Sequence, residues 1–157
     1  MHLINTKNIE VARKEIRRIR EQHAKQALHE KNPLIVVVGQ DDEFNRRMLE
    51  HGRFDILISP EAGSRKTRLR QEDAGFNHVL ATIATKQNIA IGIDIDGLKE
   101  KSKQEKANTL SKIKQTIKIA RKSQTKLAVR TKTPKEAQVL LLSLNASSEQ
   151  SRRALYF

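Results

Sequence analysis

The sequence predicts an α/β fold in which parallel strands are joined by helical crossovers, and three features predict it. Short aliphatic, β-branched runs at Leu34 to Val38, Asp55 to Ser59, Ile89 to Ile95 and Lys126 to Arg130 have the continuous hydrophobicity of strands buried on both faces. Between them lie stretches with apolar residues every three or four positions, the spacing of helices that bury one side. The two kinds of segment alternate, and alternation gives parallel strands with right-handed crossovers. At 157 residues the chain has the length of one domain, so residues 1–157 are read as a single unit.

Each element follows from a local pattern. Ile9, Ala12, Ile16 and Ile19 recur at helical spacing, with Arg13, Lys14, Arg17, Arg18 and Arg20 around the rest of the circumference, which predicts a helix over about 7–30. Asn32-Pro33 breaks it, and His2 to Ile4 before it is a possible further strand. Asp41 or Asp42 caps a short helix that carries Phe44 and Met48 and stops at Gly52. Asp73 is the expected N-cap of the next helix, with His78 one turn inside it and Val79, Leu80, Ile83 and Ala84 on its apolar face. Ala107, Leu110, Ile113, Ile117 and Ala120 mark a helix whose outer face is almost wholly basic. Thr133 with Pro134 starts another, lined by Ala137, Leu140, Leu141 and Leu144, and a last helical segment is expected from Ser148 to Leu155.

Charge narrows the class of partner. Lys and Arg number 31 against 18 Asp and Glu, leaving +13, and residues 99–132 hold twelve basic residues against two acids. Such a surplus favours a polyanion through counterion release, so nucleic acid is the first candidate. Aromatic residues are only 3% of the chain, too few for a base-stacking platform. Phosphate and shape contacts fit better. Cysteine is absent, which removes disulfides and Cys-ligated zinc. The sequence contains no apolar run of membrane-spanning length and no signal-peptide core, so the expected location is cytoplasmic and no membrane partner is expected.

Phe54-Asp-Ile-Leu-Ile-Ser-Pro60, the basic loop after it, Asp73-Ala-Gly-Phe-Asn-His-Val-Leu80, Ala84 and Asn88-Ile-Ala-Ile-Gly92 together resemble the protein component 3 family of archaeal and eukaryotic ribonuclease P. Leu34-Ile-Val-Val-Val-Gly39 with Asp41 to Arg46, and Lys126-Leu-Ala-Val129 after the Lys-rich helix, extend the likeness over residues 34 to 130. Asp73, Gly75, Asn77, His78 and Val79 are its most specific part. The resemblance implies a TIM-barrel-like α/β fold, and because a full barrel takes about 250 residues, a shortened or open barrel of βα units. It implies a non-catalytic subunit of the ribonucleoprotein that removes the 5′ leader from precursor tRNA. The implied partners are ribonuclease P RNA, precursor tRNA and other protein subunits, especially a small α/β subunit. The RNA would use the Mg²⁺, with no cofactor bound by this chain. One departure is Arg130-Thr-Lys-Thr133, where the family tends to carry a serine-serine-glycine-alanine turn.

Arg65, Lys66, Arg68 and Arg70, in a loop with no acid between Ser64 and Arg70, are the first candidates for RNA phosphate contact. His78 is expected near that loop, in a polar role rather than a catalytic one. Lys114, Lys118, Arg121 and Lys122, with Lys103, Lys106 and Lys112, form a second possible stripe, and Arg130 and Lys132 end a strand where βα scaffolds gather function. The loop and the helix stripe also read as solvated surface, and His78 as a structural residue or helix-start hydrogen-bonder. No catalytic residue and no metal ligand is assigned to the chain. Asp94 and Asp96 support an alternative, a metal-dependent phosphoesterase of related barrel fold, although Asp94 could instead pair with an arginine and Asp96-Gly97 reads as an ordinary turn. His2, His23, His29, His51 and His78 lack the paired spacing that chemistry needs. A general basic RNA-binding protein is the third reading.

Overall fold

Six strands form one parallel sheet in a computed structural model that describes residues 1–26, 32–62 and 73–157. The strands are β1 (His2–Ile4), β2 (Ile35–Val38), β3 (Ile56–Ile58), β4 (Ala90–Asp94), β5 (Leu127–Arg130) and β6 (Leu155–Tyr156). Their spatial order is their chain order, and every neighbouring pair is parallel. Sequential order makes every crossover step the same way, so right-handed connections place the helices on one side of the sheet, as in a βα barrel. The helices are α1 (Ile9–Gln26), α2 (Asp42–His51), α3 (His78–Lys86), α4 (Ile95–Lys99), α5 (Lys103–Ser123), α6 (Pro134–Ser143) and α7 (Ser148–Arg153), with a 3₁₀ turn at Pro60–Ala62.

The two-residue period of the strands divides the core. Ile35, Val37, Leu57, Ile91, Ile93, Leu127 and Val129 face the helices and pack against Ile16, Phe44, Met48, Ile113 and Ile117. Val36, Ile56, Ile58, Ala90 and Ala128 face the other way with Leu34, Val38 and Phe157. This second face narrows to small residues on β4 and β5. A Cβ on Gly92 would stand 2.8 Å from Ile56 Cγ2 and 2.9 Å from Ile58 Cα, so the glycine permits the strands to curl together there. Among the described residues β1 and β6 do not pair with each other, and the sheet is open. The fold is thus α/β and TIM-barrel-like, with an open sheet among the described residues, as expected.

Several expectations change. β1, only possible in the sequence, pairs with β2 through His2, Leu3 and Ile4. The final segment stops being helical at Arg153 and ends as β6, whose Leu155 and Tyr156 pair with Ala128 and Val129. Two residues cannot display a strand period, which is why β6 was invisible. Asp96-Gly97, expected as a turn, lies inside α4, and the Asp94 side chain caps that helix through Gly97 N at 2.9 Å. The predicted first helix is described from Ile9 to Gln26, starting where Asn8 Oδ1 accepts from Glu10 N and Val11 N. Residues 27–30 of that prediction lie outside the described residues. No helix among the described residues is long and apolar enough to cross a membrane.

Candidate nucleic-acid interface

The C-terminal ends of the strands carry the polar residues that the apolar strand interiors exclude. Asp94 leaves β4 and Arg130 leaves β5 in register, and Arg130 Nη1 meets Asp94 Oδ2 at 3.4 Å. Both side chains are partly exposed, so the pair contributes at most about 1 kcal/mol. Lys132 is exposed on the following loop. That loop is ordered by Thr131, whose Oγ1 accepts from Thr133 N at 3.0 Å, and by Thr133, whose hydroxyl donates to Glu136 Oε2 at 2.7 Å. Thr133 precedes Pro134 as expected, but its side chain makes no cap bond to the backbone of α6.

The 3₁₀ turn after β3 buries Glu61 beside this edge. Burial pushes its carboxyl pKa above the ordinary value, and the neighbouring Asp94 charge adds to the rise, whereas its backbone hydrogen bond, Lys101 and Lys112 oppose it. Asn45 ties the same region together: its Oδ1 accepts from Gln40 N at 2.8 Å, and its Nδ2 donates to Gln40 O and Pro60 O. A Cβ on Gly39 would lie 2.6 Å from Pro60 Cα, so the β2 and β3 ends touch backbone to backbone. Neither Glu61 nor Lys101 stood out in the sequence. The only signal for Asn45 was the Asn45-Arg46 pair within the family resemblance.

Arg65, Lys66, Arg68 and Arg70 lie outside the described residues. The helix that follows them begins later than expected. Asn77, not Asp73, is the N-cap of α3, its Oδ1 accepting from Leu80 N at 3.0 Å. Asp73 instead holds a turn through Gly75 N at 2.9 Å, where Gly75 takes a φ of +67°. His78 is therefore the first residue of α3, exposed at its positive end, not one turn inside. Val79, placed on the apolar face by its spacing, is exposed, and Leu80, Ala81 and Ala84 are the buried residues.

α5 packs beside α3 and runs back from the strand C-terminal ends. It begins with a capping box in which Ser102 and Glu105 satisfy each other's backbone N–H groups. Ile113, Ile117 and Ala120 bury its inner side. Lys114, Lys118, Arg121 and Lys122 are exposed. Spaced three and four apart, they form one outward cationic stripe leading away from His78, Arg130 and Lys132. Lys112, grouped with them in the sequence, is only partly exposed, and its charge opposes the rise in the Glu61 pKa.

Asp94 divides its two oxygens between Gly97 N and Arg130, and Asp96 lies 3.7 Å from Lys99 Nζ. Among the described residues no group of three or more His, Cys, Asp or Glu is placed to hold a metal ion.

Fold and surface together define a singly wound parallel α/β protein with cations at the strand ends and along one helix. Sequence comparison sharpens this class. No family model matches the chain. The chain is 27% identical to ribonuclease P protein component 3 of Methanococcus maripaludis over 126 residues, 80% of this chain and 47% of that protein. It is 29% identical to the component 3 protein of Methanocaldococcus jannaschii over 106 residues, 68% of this chain and 43% of that one. Against the Thermococcus gammatolerans component 3 protein it is 34% identical over 89 residues, 57% and 38% of the two chains. A chain of an archaeal ribonuclease P solved by cryo-electron microscopy with mature tRNA superposes with a TM-score of 0.74 at 24% identity, over 96% of this chain and 62% of that one. The sequence resemblance to ribonuclease P protein component 3 thus holds across several archaeal relatives, and the structural likeness carries the fold. The chain spans about half the length of the curated relatives it matches.

Proposed function

We propose that this chain acts as a protein subunit of ribonuclease P, binding and supporting the catalytic RNA of the particle that removes the 5′ leader from precursor tRNA. The observation that carries the reading is the ordered similarity to component 3 proteins over as much as 80% of the chain. The basic surplus and the exposed cations of α5 and the β5 end support it, because a protein that works by phosphate contact needs charge without a catalytic cluster. On this reading the endonuclease activity belongs to the holoenzyme, Mg²⁺ serves the RNA, and the chain contributes electrostatic support. His78, Arg130 and Lys132 are its proposed RNA contacts at the strand C-terminal ends, Lys114, Lys118, Arg121 and Lys122 extend the track along α5, and Arg65, Lys66, Arg68 and Arg70 are proposed contacts on the sequence pattern alone. Precursor tRNA and other protein subunits, among them a small α/β partner, complete the proposed assembly in the cytoplasm.

Sequencing the RNA that copurifies with the intact chain tests this reading. Enrichment of the ribonuclease P RNA over ribosomal RNA is the expected result. RNA recovered in proportion to its cellular abundance would leave a general basic RNA-binding protein as the better description.

A further inference from the structure

At the opposite end of the sheet, where the strands begin, the last turns of α1 and α2 frame a cleft of about 400 Å³. Arg17, Arg20, Glu21, His51 and Arg53 line it, so three guanidiniums and an imidazole face one carboxylate. Arg20 is fixed by Asp55, with its Nη2 3.1 Å and 3.2 Å from the two carboxylate oxygens, and by the Arg53 carbonyl. Arg17 and Arg53 have no ion pair among the described residues. Behind them Arg13 binds Glu10, yet its Nε is buried without a hydrogen-bond partner.

The backbone is bent to put Arg53 there. Gly52 and Arg53 take successive positive φ values of +66° and +65°. The first suits glycine; the second is a conformation that an L side chain disfavours, and such strain persists where the surroundings fix it, often at a ligand site. The local field agrees. The His51 imidazole titrates below its ordinary value, first through burial and then through Arg13, Arg53 and Arg17, with Glu10 opposing. With Arg20 paired to Asp55 and Arg13 to Glu10, Arg17 and Arg53 face only Glu21 in the lining, which leaves the concavity a positive excess.

We infer that this cleft is a second phosphate-binding site, in which Arg17 and Arg53 fork a backbone phosphodiester of RNA and Arg20 is held in place by Asp55 to complete the positive wall. The oxyanion chemistry comes from the cleft, and the assignment of that oxyanion to RNA rests on the proposed function above. Bidentate guanidinium recognition suits a phosphate better than a point charge does. With cations at both ends of the strands, the chain would hold RNA at two separated points.

The test follows the His51 ring resonances of the intact chain against pH by NMR, with chloride alone, with inorganic phosphate and with an RNA hairpin. The hairpin is expected to raise the His51 titration midpoint, because a bound phosphate cancels the field of Arg13, Arg17 and Arg53. Arg17→Ala and Arg53→Ala should each abolish that rise and lower the salt slope of hairpin binding by about one. Arg53→Gly should do the same while leaving the thermal midpoint equal or higher, which separates lost binding from lost folding. A response to phosphate but not to the hairpin would overturn the RNA assignment, and no response to either would overturn the site. Both readouts are independent of leader removal by the holoenzyme, so this inference and the proposed function can fail separately.

Discussion

Asp94 serves two neighbours with one carboxylate, and its substitutions should separate them. Asp94→Asn keeps an oxygen for Gly97 N but loses the ion pair with Arg130, and urea unfolding should show a loss below about 1 kcal/mol. Asp94→Ala loses the cap of α4 as well, adding about 1 kcal/mol; equal losses in both variants would mean that the cap contributes nothing. Pairing of Asp94 with an arginine was legible as one possibility, since the residue sits at a strand end in a basic chain. Its capping role was not, because Asp96-Gly97 reads as a turn when taken alone. Glu61 gives a pH prediction. Burial raises its folded-state pKa above the 4.5 of a free side chain, so its contribution to stability is complete below that value and is lost as pH climbs through the folded one. Wild-type stability measured against Glu61→Gln should therefore fall as pH rises above about 4.5. Parallel curves would show that the buried carboxyl has found compensation.

Among the elements, long helices and apolar strands announced themselves while their ends did not. The spacing of Ile113, Ile117 and Ala120 gave α5, and Phe44 with Met48 gave α2, because burial of one face imposes a period that survives every surface substitution. Caps depend on a single side chain and its backbone angles. Asp73 and Asn77 are both residues that cap helices well, and only the turn at Gly75 decides between them. Asn77→Ala should consequently cost about 1 kcal/mol in chemical denaturation. An unchanged midpoint would mean that α3 starts without it. Because His78 follows the cap directly, the same variant should also loosen the helix end that carries the proposed RNA contact. α4 and β6 escaped detection for a different reason: elements of five and two residues are shorter than any window in which their periods could register.

For the whole molecule, charge is the legible quantity and its distribution is not. A surplus of +13 names a polyanion, whereas the cleft of Arg17, Arg20, His51 and Arg53 draws on residues far apart in sequence that only packing of α1 against α2 assembles. Sequence placed the phosphate contacts in one loop, at His78, at the strand end of Arg130 and Lys132, and along one helix; the fold adds a positive cleft at the other end of the strands. The open sheet follows similar logic, since alternating strands and helices are visible in the chain but the lack of a β1–β6 pairing among the described residues shows only in the fold. At this scale Arg65→Ala, Arg68→Ala and Arg70→Ala should each reduce the salt slope of RNA binding by about one unit or less, and unchanged slopes in all three would remove that loop from the interface. The most direct test of the central claim is reconstitution of ribonuclease P from its RNA and protein subunits with and without this chain, scored by removal of the 5′ leader from precursor tRNA at fixed Mg²⁺ and salt. The account predicts faster cleavage when the chain is present; identical rates in the two reconstitutions would contradict it.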